Sequence, residues 1–113
     1  MHKKGTLENG YLVGVKLEPE SGFYCDKMEI SYLKPNPKDY PGKLHIHEKM
    51  DETVIVLKGR FVVEMDAKKV EILAGEYVFK TAGSAGRALA ADQGTEILII
   101  KAPSVEGDAR IIE

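Results

Sequence analysis

The stretch PGKLHIHEKMDETVIVLKG, residues 41–59, places two histidines and a glutamate between an early glycine and a late one. On a strand, residues two apart share a face, so His45 and His47 point into one space while Ile46 points away. Glu52 opens the next apolar run and can lie beside them after a tight connection. Two imidazoles and one carboxylate suit a divalent metal such as Fe, Mn, Ni, Co or Zn, with coordination positions left open. The stretch therefore predicts a three-ligand metal site; the alternative for a bare histidine pair is an edge strand without function.

The rest of the chain indicates a β protein. Short apolar or alternating runs are separated by Gly, Pro and Asn at intervals of about ten residues, which is typical of a sandwich or a closed barrel. The pattern predicts no helix of about ten residues or more. One hairpin is predicted to turn at Asp66 and Ala67. A length of 113 residues predicts one domain, 1–113. The candidate strands are 11–17, 27–34, 43–47, 53–58, 60–65, 68–73, 76–80, 87–90 and 95–101.

Some strands are apolar on both faces. In the run 53–57, Val54 and Val56 face one way, and Ile55 and Leu57 face the other. A small barrel buries only its inner face, so the outer apolar face needs a cover. We predict that a second copy supplies it, in a homodimer, and the alternative is cover by the chain's own N-terminal strands. The two residues predicted to fill the barrel core are Phe61 and Phe79.

Composition excludes several classes of protein. The formal net charge is −2 and no basic face is evident, which argues against a nucleic-acid partner. No apolar stretch is long enough to cross a membrane, and no signal-peptide pattern precedes the strands. The single cysteine, Cys25, cannot form an intrachain disulfide and is expected to be a small buried hydrophobe, not a ligand. These features predict a cytoplasmic location.

The histidine stretch resembles the first motif of the cupin superfamily. His45, one residue, His47, four residues, Glu52, six residues and Gly59 match that motif's spacing. The second motif is eroded: Gly75 and Gly83 are in place, but the expected proline is Thr81, the expected fourth ligand, a histidine, is Gly86, and the closing asparagine is Ala90. The resemblance implies a small double-stranded β-helix, or jelly-roll barrel, with its motif core at 41–101 and a site at the barrel's mouth.

Three functions remain open from the sequence, because cupins share a fold and differ in reaction. The first is a metal-dependent enzyme, similar to a dioxygenase or an isomerase, that acts on a small polar metabolite through the metal's open positions. The second is a non-catalytic module that binds a small ligand or sugar and keeps a degenerate metal site. A third, ranked last, is a metal-free cupin similar to a carbohydrate epimerase, with a His–Tyr acid–base pair.

Other side chains are candidates for the pocket. Tyr32 and Arg87 are predicted substrate contacts, the arginine because its guanidinium can pair with an acidic substrate group. Tyr40 and Lys34 precede the motif and are weaker candidates. His2 could reach the site only through a docked N-terminus. The sequence does not identify a catalytic residue.

Overall fold

The computed structural model describes residues 1–112 and confirms an all-β fold. Ten strands form two five-stranded sheets, and the helical structure within these residues is two 3-10 turns, Pro19–Ser21 and Pro37–Asp39. None of the helices in this range is long and apolar enough to cross a membrane. The strands are β1 (Gly10–Val13), β2 (Glu29–Leu33), β3 (His45–His47), β4 (Asp51–Lys58), β5 (Arg60–Met65), β6 (Lys68–Leu73), β7 (Tyr77–Lys80), β8 (Ala85–Ala91), β9 (Glu96–Ala102) and β10 (Ala109–Ile111).

The chain crosses repeatedly between the two sheets. The first sheet has the order β1-β2-β9-β4-β7 and the second the order β10-β3-β8-β5-β6, with antiparallel pairing throughout. Strands β3 and β4 lie in opposite sheets, as do β7 and β8, which gives the jelly-roll arrangement. A core drawn from both sheets fills the space between them: Val54, Val56, Phe61, Val63, Ile72, Ala91 and Ile97.

The strand that carries the histidines is held mainly by a short neighbour. Strand β3 pairs with β10 at three positions, from Ala109 opposite His47 to Ile111 opposite His45. Its pairing with β8 covers two positions, His45 opposite Gly86 and Ile46 opposite Ala85. All three residues of β10 are exposed. The outer edge of the histidine strand therefore depends on three residues with no buried side chain.

Two local predictions are confirmed. The β5–β6 hairpin turns at Asp66 and Ala67, whose φ angles of 52° and 64° suit the twist of a tight hairpin. Phe61 is buried in the core at 4% exposure.

The prediction that Phe79 fills the core is wrong, because its side chain is 58% exposed. Strand β7 pairs with β4 so that Phe79 lies opposite Thr53 and Lys80 lies opposite Glu52. Neighbouring residues of a strand point to opposite faces. The aromatic ring is therefore on the outer face and the lysine points into the barrel.

Gly59, the last residue of the histidine motif, connects β4 to β5 where no other residue fits. Its φ of +85° is left-handed, and a Cβ atom there would lie 2.8 Å from the Thr95 Cα. The Thr95 hydroxyl lies against this turn, accepting from the Arg60 amide at 3.1 Å and donating to the Arg60 carbonyl at 3.0 Å. The glycine thus allows β4 to turn tightly, at the far end of the strand that Glu52 opens.

Candidate functional site

A cavity of about 240 Å³ lies between the two sheets. Its lining residues form a polar group and an apolar group, each drawn from both sheets, and the apolar group is continuous with the core. We call the polar group the polar wall: His45, His47, Glu52, Glu64, Lys80, Arg87 and Lys101. The apolar wall includes Leu33, Tyr40, Val54, Phe61, Val63, Ile97 and Ile99.

Strand β3 directs both histidines into this cavity, as the sequence predicts for residues two apart. Their ring centroids are 5.0 Å apart and the ring planes meet at 87°. The Nδ1 atom of His45 lies 2.8 Å from the Lys43 carbonyl oxygen. A carbonyl only accepts, so Nδ1 carries the proton and the neutral ring has its lone pair on Nε2. The backbone thus holds His45 as a hydrogen-bond acceptor.

His47 is the more buried of the two rings, at 4% exposure. Burial lowers its pKa to about 4, and the positive charge of Lys101 adds to the effect. The ring is therefore uncharged near neutral pH. Its Nε2 lies 3.9 Å from Oε1 of Glu52. Its Nδ1 is buried and has no hydrogen-bond partner within residues 1–112.

Four charged side chains form a row across the inner face of the first sheet. Cross-strand pairing places Lys101 between Glu29 and Glu52, and Glu52 between Lys101 and Lys80. We call Glu29, Lys101, Glu52 and Lys80 the inner charged row. Lys101 Nζ lies 3.8 Å from Glu29 Oε2, and Lys80 Nζ lies 3.5 Å from Glu52 Oε1. The signs alternate, so each charge has an opposite charge beside it.

Lys80 fills the space next to the position at which the motif resemblance expects a fourth histidine. A Cβ atom on Gly86 would lie 3.1 Å from Lys80 Nζ and 2.9 Å from the Glu64 carbonyl oxygen. A side chain at position 86 would therefore collide with both the lysine and the backbone of β5. The position of the Lys80 ammonium therefore depends on glycine at position 86, because the missing side chain makes room for it.

The three predicted metal ligands line one cavity but do not fit a metal ion as they are placed. Within residues 1–112, no three His, Cys, Asp or Glu side chains form a group that could hold one. The Glu52 carboxylate faces the Lys80 ammonium, and a metal cation on that carboxylate would be repelled by the lysine. A metal on His45, His47 and Glu52 stays a prediction.

The two predicted substrate contacts lie in different places. Arg87 lines the cavity, where its Nη2 lies 3.4 Å from Oε1 of Glu64. Tyr32 is absent from the residues that line it, and its hydroxyl hydrogen-bonds to the Glu96 carboxylate. The neighbouring Leu33 faces the cavity, so Tyr32 points to the other side of β2.

The weaker candidates also divide. Tyr40 lines the cavity, and burial raises the pKa of its hydroxyl, which therefore keeps its proton at neutral pH. Lys34 lies in a separate cleft with Lys38 and Lys58. His2 and Cys25 do not line the cavity.

Sequence reasoning missed the two lysines of the polar wall. A signal for each was present in the chain. Lys101 continues an inward series that runs through Ile97 and Ile99, and Lys80 follows Val78 at the same spacing of two. A charged residue in an inward series of apolar ones marks a polar spot on the wall of a barrel.

Comparison with known protein families shows which family the chain belongs to. The profile of the cupin domain family matches residues 32–98, which include the histidine strand, Glu52, Lys80 and Gly86. The chain belongs to the cupin family. No curated protein matches the sequence of this cupin.

Solved structures resemble this cupin at low sequence identity. Streptomyces PAC13 with uridine superposes with a TM-score of 0.65 at 13% identity, covering 78% of this chain and 70% of that one. KdgF from a Halomonas species gives a TM-score of 0.62 at 18% identity, covering 72% and 73%. A Klebsiella pneumoniae protein described as having a double-stranded beta-helix domain gives 0.61 at 17% identity, covering 78% and 76%. At such identities the likeness shows the fold.

Proposed function

We propose that this cupin is an enzyme that binds a small polar metabolite in its cavity and transfers a proton to or from it. The observation that carries the proposal is the hydrogen bond from His45 Nδ1 to the Lys43 carbonyl. It leaves a lone pair on Nε2 of a ring that lines the cavity, which is what a general base requires. Isomerisations through an enolate and dehydrations by the E1cB route begin with such a proton removal.

The cavity's size supports a small ligand. Its volume of about 240 Å³ is below the ~300–1,000 Å³ typical of sites for drug-sized molecules. PAC13, which shares the fold, is described as a nucleoside dehydratase and has been solved with uridine. That likeness supports the proposal that a barrel of this fold can enclose a small metabolite and transfer a proton to or from it.

In this proposal each residue of the histidine motif has its own part. His45 accepts the proton at Nε2, and the Lys43 carbonyl stabilises the imidazolium that results. His47 is uncharged and forms the buried side of the site. Glu52 lies 3.9 Å from the His47 ring and holds Lys80 next to the cavity.

The test uses protein freed of metal by chelation and a panel of small metabolites in D₂O. We expect at least one bound compound to exchange a carbon-bound proton for deuterium in the NMR spectrum, and His45→Gln to slow this by about 100-fold or more. His2→Gln, which changes a histidine outside the cavity, is the control. Binding without exchange would favour the non-catalytic module.

A metal-dependent enzyme is the second candidate. The observation in its favour is again His45, because ligating histidines commonly donate their other ring nitrogen to a carbonyl. This candidate requires Lys80 to move away from Glu52. Elemental mass spectrometry of untagged protein tests it: a near-stoichiometric transition metal that is lost in His47→Ala, with exchange lost on chelation, would replace the metal-free proposal.

We also propose that two copies pair through the outer face of the first sheet. This outer apolar face is formed by alternate residues of β2, β9, β4 and β7. On it Phe79 is 58% and Tyr77 69% exposed, and Leu57 is exposed as well. The face's charged members by this alternation are Asp51 and Glu96, which lie near opposite ends of the strands, so the apolar middle of the face is the part that suits a two-fold contact. The members are Ile30, Tyr32, Asp51, Thr53, Ile55, Leu57, Tyr77, Phe79, Glu96, Leu98, Ile100 and Ala102.

A further inference from the structure

We propose that Lys80 is the ligand-binding cation of this site and that the cavity takes a small monocarboxylate. The inference rests on the proposed function and names its substrate class. The resemblance to the family leads one to expect a metal cation beside two histidines and a glutamate. In this chain the positive charge next to Glu52 is an ammonium group that belongs to the protein.

The lysine has donors to spare. Its side chain is 5% exposed and its ammonium carries three N–H groups. Within residues 1–112 its nitrogen makes one ion pair, to Glu52 at 3.5 Å, and no hydrogen bond. Buried N–H donors need acceptors. The cavity that Lys80 lines is where a ligand oxygen can supply them.

The local packing keeps the ammonium at the cavity. Gly86 lies opposite His45 in the sheet, and its missing side chain leaves the space beside Lys80 Nζ open. The ammonium therefore reaches from the first sheet to a position beside Gly86, which is the neighbour of His45 in the second sheet. A carboxylate on Lys80 would place its neighbouring carbon towards the histidine that we propose as the base.

Charge and shape favour a monocarboxylate. The cavity lining holds three cations, Lys80, Arg87 and Lys101, and two carboxylates, Glu52 and Glu64, and a third carboxylate, Glu29, pairs with Lys101 from behind the lining. A monoanion adds one negative charge to this set of three cations and three carboxylates, whereas a phosphate adds about two. The apolar part of the lining suits a carbon skeleton.

The test compares three ligands that share a phenyl ring by isothermal titration calorimetry with metal-free protein. Benzoate is the monocarboxylate, benzamide its uncharged analogue and phenyl phosphate its more highly charged one. We expect benzoate to bind about tenfold or more tightly than benzamide, and phenyl phosphate to bind no more tightly than benzoate. Equal affinity for benzoate and benzamide overturns the inference, as does a phenyl phosphate affinity about tenfold above that of benzoate.

Two variants and a map of NMR chemical-shift changes test whether the preference for benzoate depends on Lys80. We expect Lys80→Met to remove the preference for benzoate and Lys58→Met, an exposed lysine of the separate cleft, to retain it. Benzoate should shift the backbone amide signals of Lys80 and Gly86 most strongly in the wild-type protein. If Lys80→Met does not fold, the map of the wild-type protein is the deciding measurement. The role of Lys80 is overturned if the largest benzoate-induced shifts are at Glu64 and Arg87 or outside the cavity.

The result is separable from that of the proton-exchange assay. A preference for benzoate that depends on Lys80, found with no exchange in any metabolite, supports the inference and removes the enzyme proposal. Exchange that requires His45, found with no preference for benzoate, supports the enzyme proposal and overturns the inference.

Discussion

The first sheet buries charged side chains on its inner face and exposes aromatic rings on its outer face, which reverses the usual rule that apolar side chains are buried and charged ones exposed. The inner face carries the inner charged row, in which Glu29 is 2% and Lys80 6% exposed. The outer face of the same strands carries Phe79 and Tyr77, which are more than half exposed. Charges are thus buried where apolar side chains would be cheapest, and aromatic rings are left in water.

This difference teaches where to look for function. A buried charge lowers stability unless it is paired, and an exposed aromatic patch favours association. Neither arrangement improves the stability of an isolated barrel. Each one makes sense if its face meets something else: a ligand on the inside and a second copy on the outside. The following predictions test the two faces separately.

The largest effect is expected on the inner face. Glu52→Ala removes the carboxylate between Lys80 and Lys101 and leaves two neighbouring ammonium groups without it. Loss of one partner from a buried pair lowers the free energy of unfolding by about 3 kcal/mol. Urea denaturation followed by circular dichroism measures it.

The control for that variant is Glu48→Ala. Glu48 pairs with Arg110 at 2.6 Å, but both side chains are more than half exposed. An exposed pair contributes less than about 1 kcal/mol. Equal losses in the two variants would show that the inner charged row behaves as a solvated surface.

The next effect concerns the outer face. Phe79→Lys places a charge on the face proposed for the two-fold contact and removes a ring worth about 2 kcal/mol of burial. We expect the dimer dissociation constant to rise by about tenfold or more, measured by analytical ultracentrifugation. Leu73→Lys, at an apolar residue of the second sheet that is 43% exposed, should leave the dissociation constant unchanged. A wild-type protein that is monomeric at high concentration would contradict the dimer.

A smaller effect is expected at the end of the inner charged row. Glu29 and Lys101 lie 3.8 Å apart, with side chains 3% and 18% exposed. A double-mutant cycle with Glu29→Gln and Lys101→Met should give a coupling free energy of about 1 kcal/mol. The same cycle on Glu48 and Arg110 is the comparison, and a larger coupling there would reverse the assignment of buried and exposed pairs.

The smallest effect is expected at Tyr32. Tyr32→Phe removes the hydroxyl that hydrogen-bonds to Glu96, on the side of β2 that faces away from the cavity. The melting temperature should fall by only a few degrees. Affinity for benzoate should change by less than about twofold, because the hydroxyl does not line the cavity. A large loss of affinity would restore Tyr32 as a substrate contact.

Much of the fold could be predicted from the sequence. The i, i+2 spacing of His45 and His47 gave the shared direction of the two imidazoles, and the resemblance of the run from His45 to Gly59 to the first cupin motif implied the barrel. The motif residues are informative because one structural requirement fixes the residue type at each position. At position 59 the requirement is a left-handed turn that only glycine accommodates.

The register of β7 could not be predicted in the same way. Its first three residues, Tyr77, Val78 and Phe79, are all apolar, so alternation gives no preference for either face. A shift of one residue exchanges the inward and outward sets. Only the pairing with β4 places Lys80 inside and Phe79 outside. The unpredicted register of β7 therefore explains both why Lys80 was missed as a site residue and why Phe79 was wrongly predicted to fill the core.

The pairing of β3 with β10 has a consequence for how the barrel opens. Strand β10 has three exposed residues, and it is anchored near its start by Asp108, which accepts from the backbone amides of Lys49 and Met50 at 3.0 to 3.1 Å. Segments with few buried contacts separate from a fold well below its global unfolding free energy. Amide hydrogen exchange at the edge of the histidine strand should therefore be governed by fraying of β10, and the core strands should exchange far more slowly. The strand that carries both histidines of the cavity therefore has the edge that opens first.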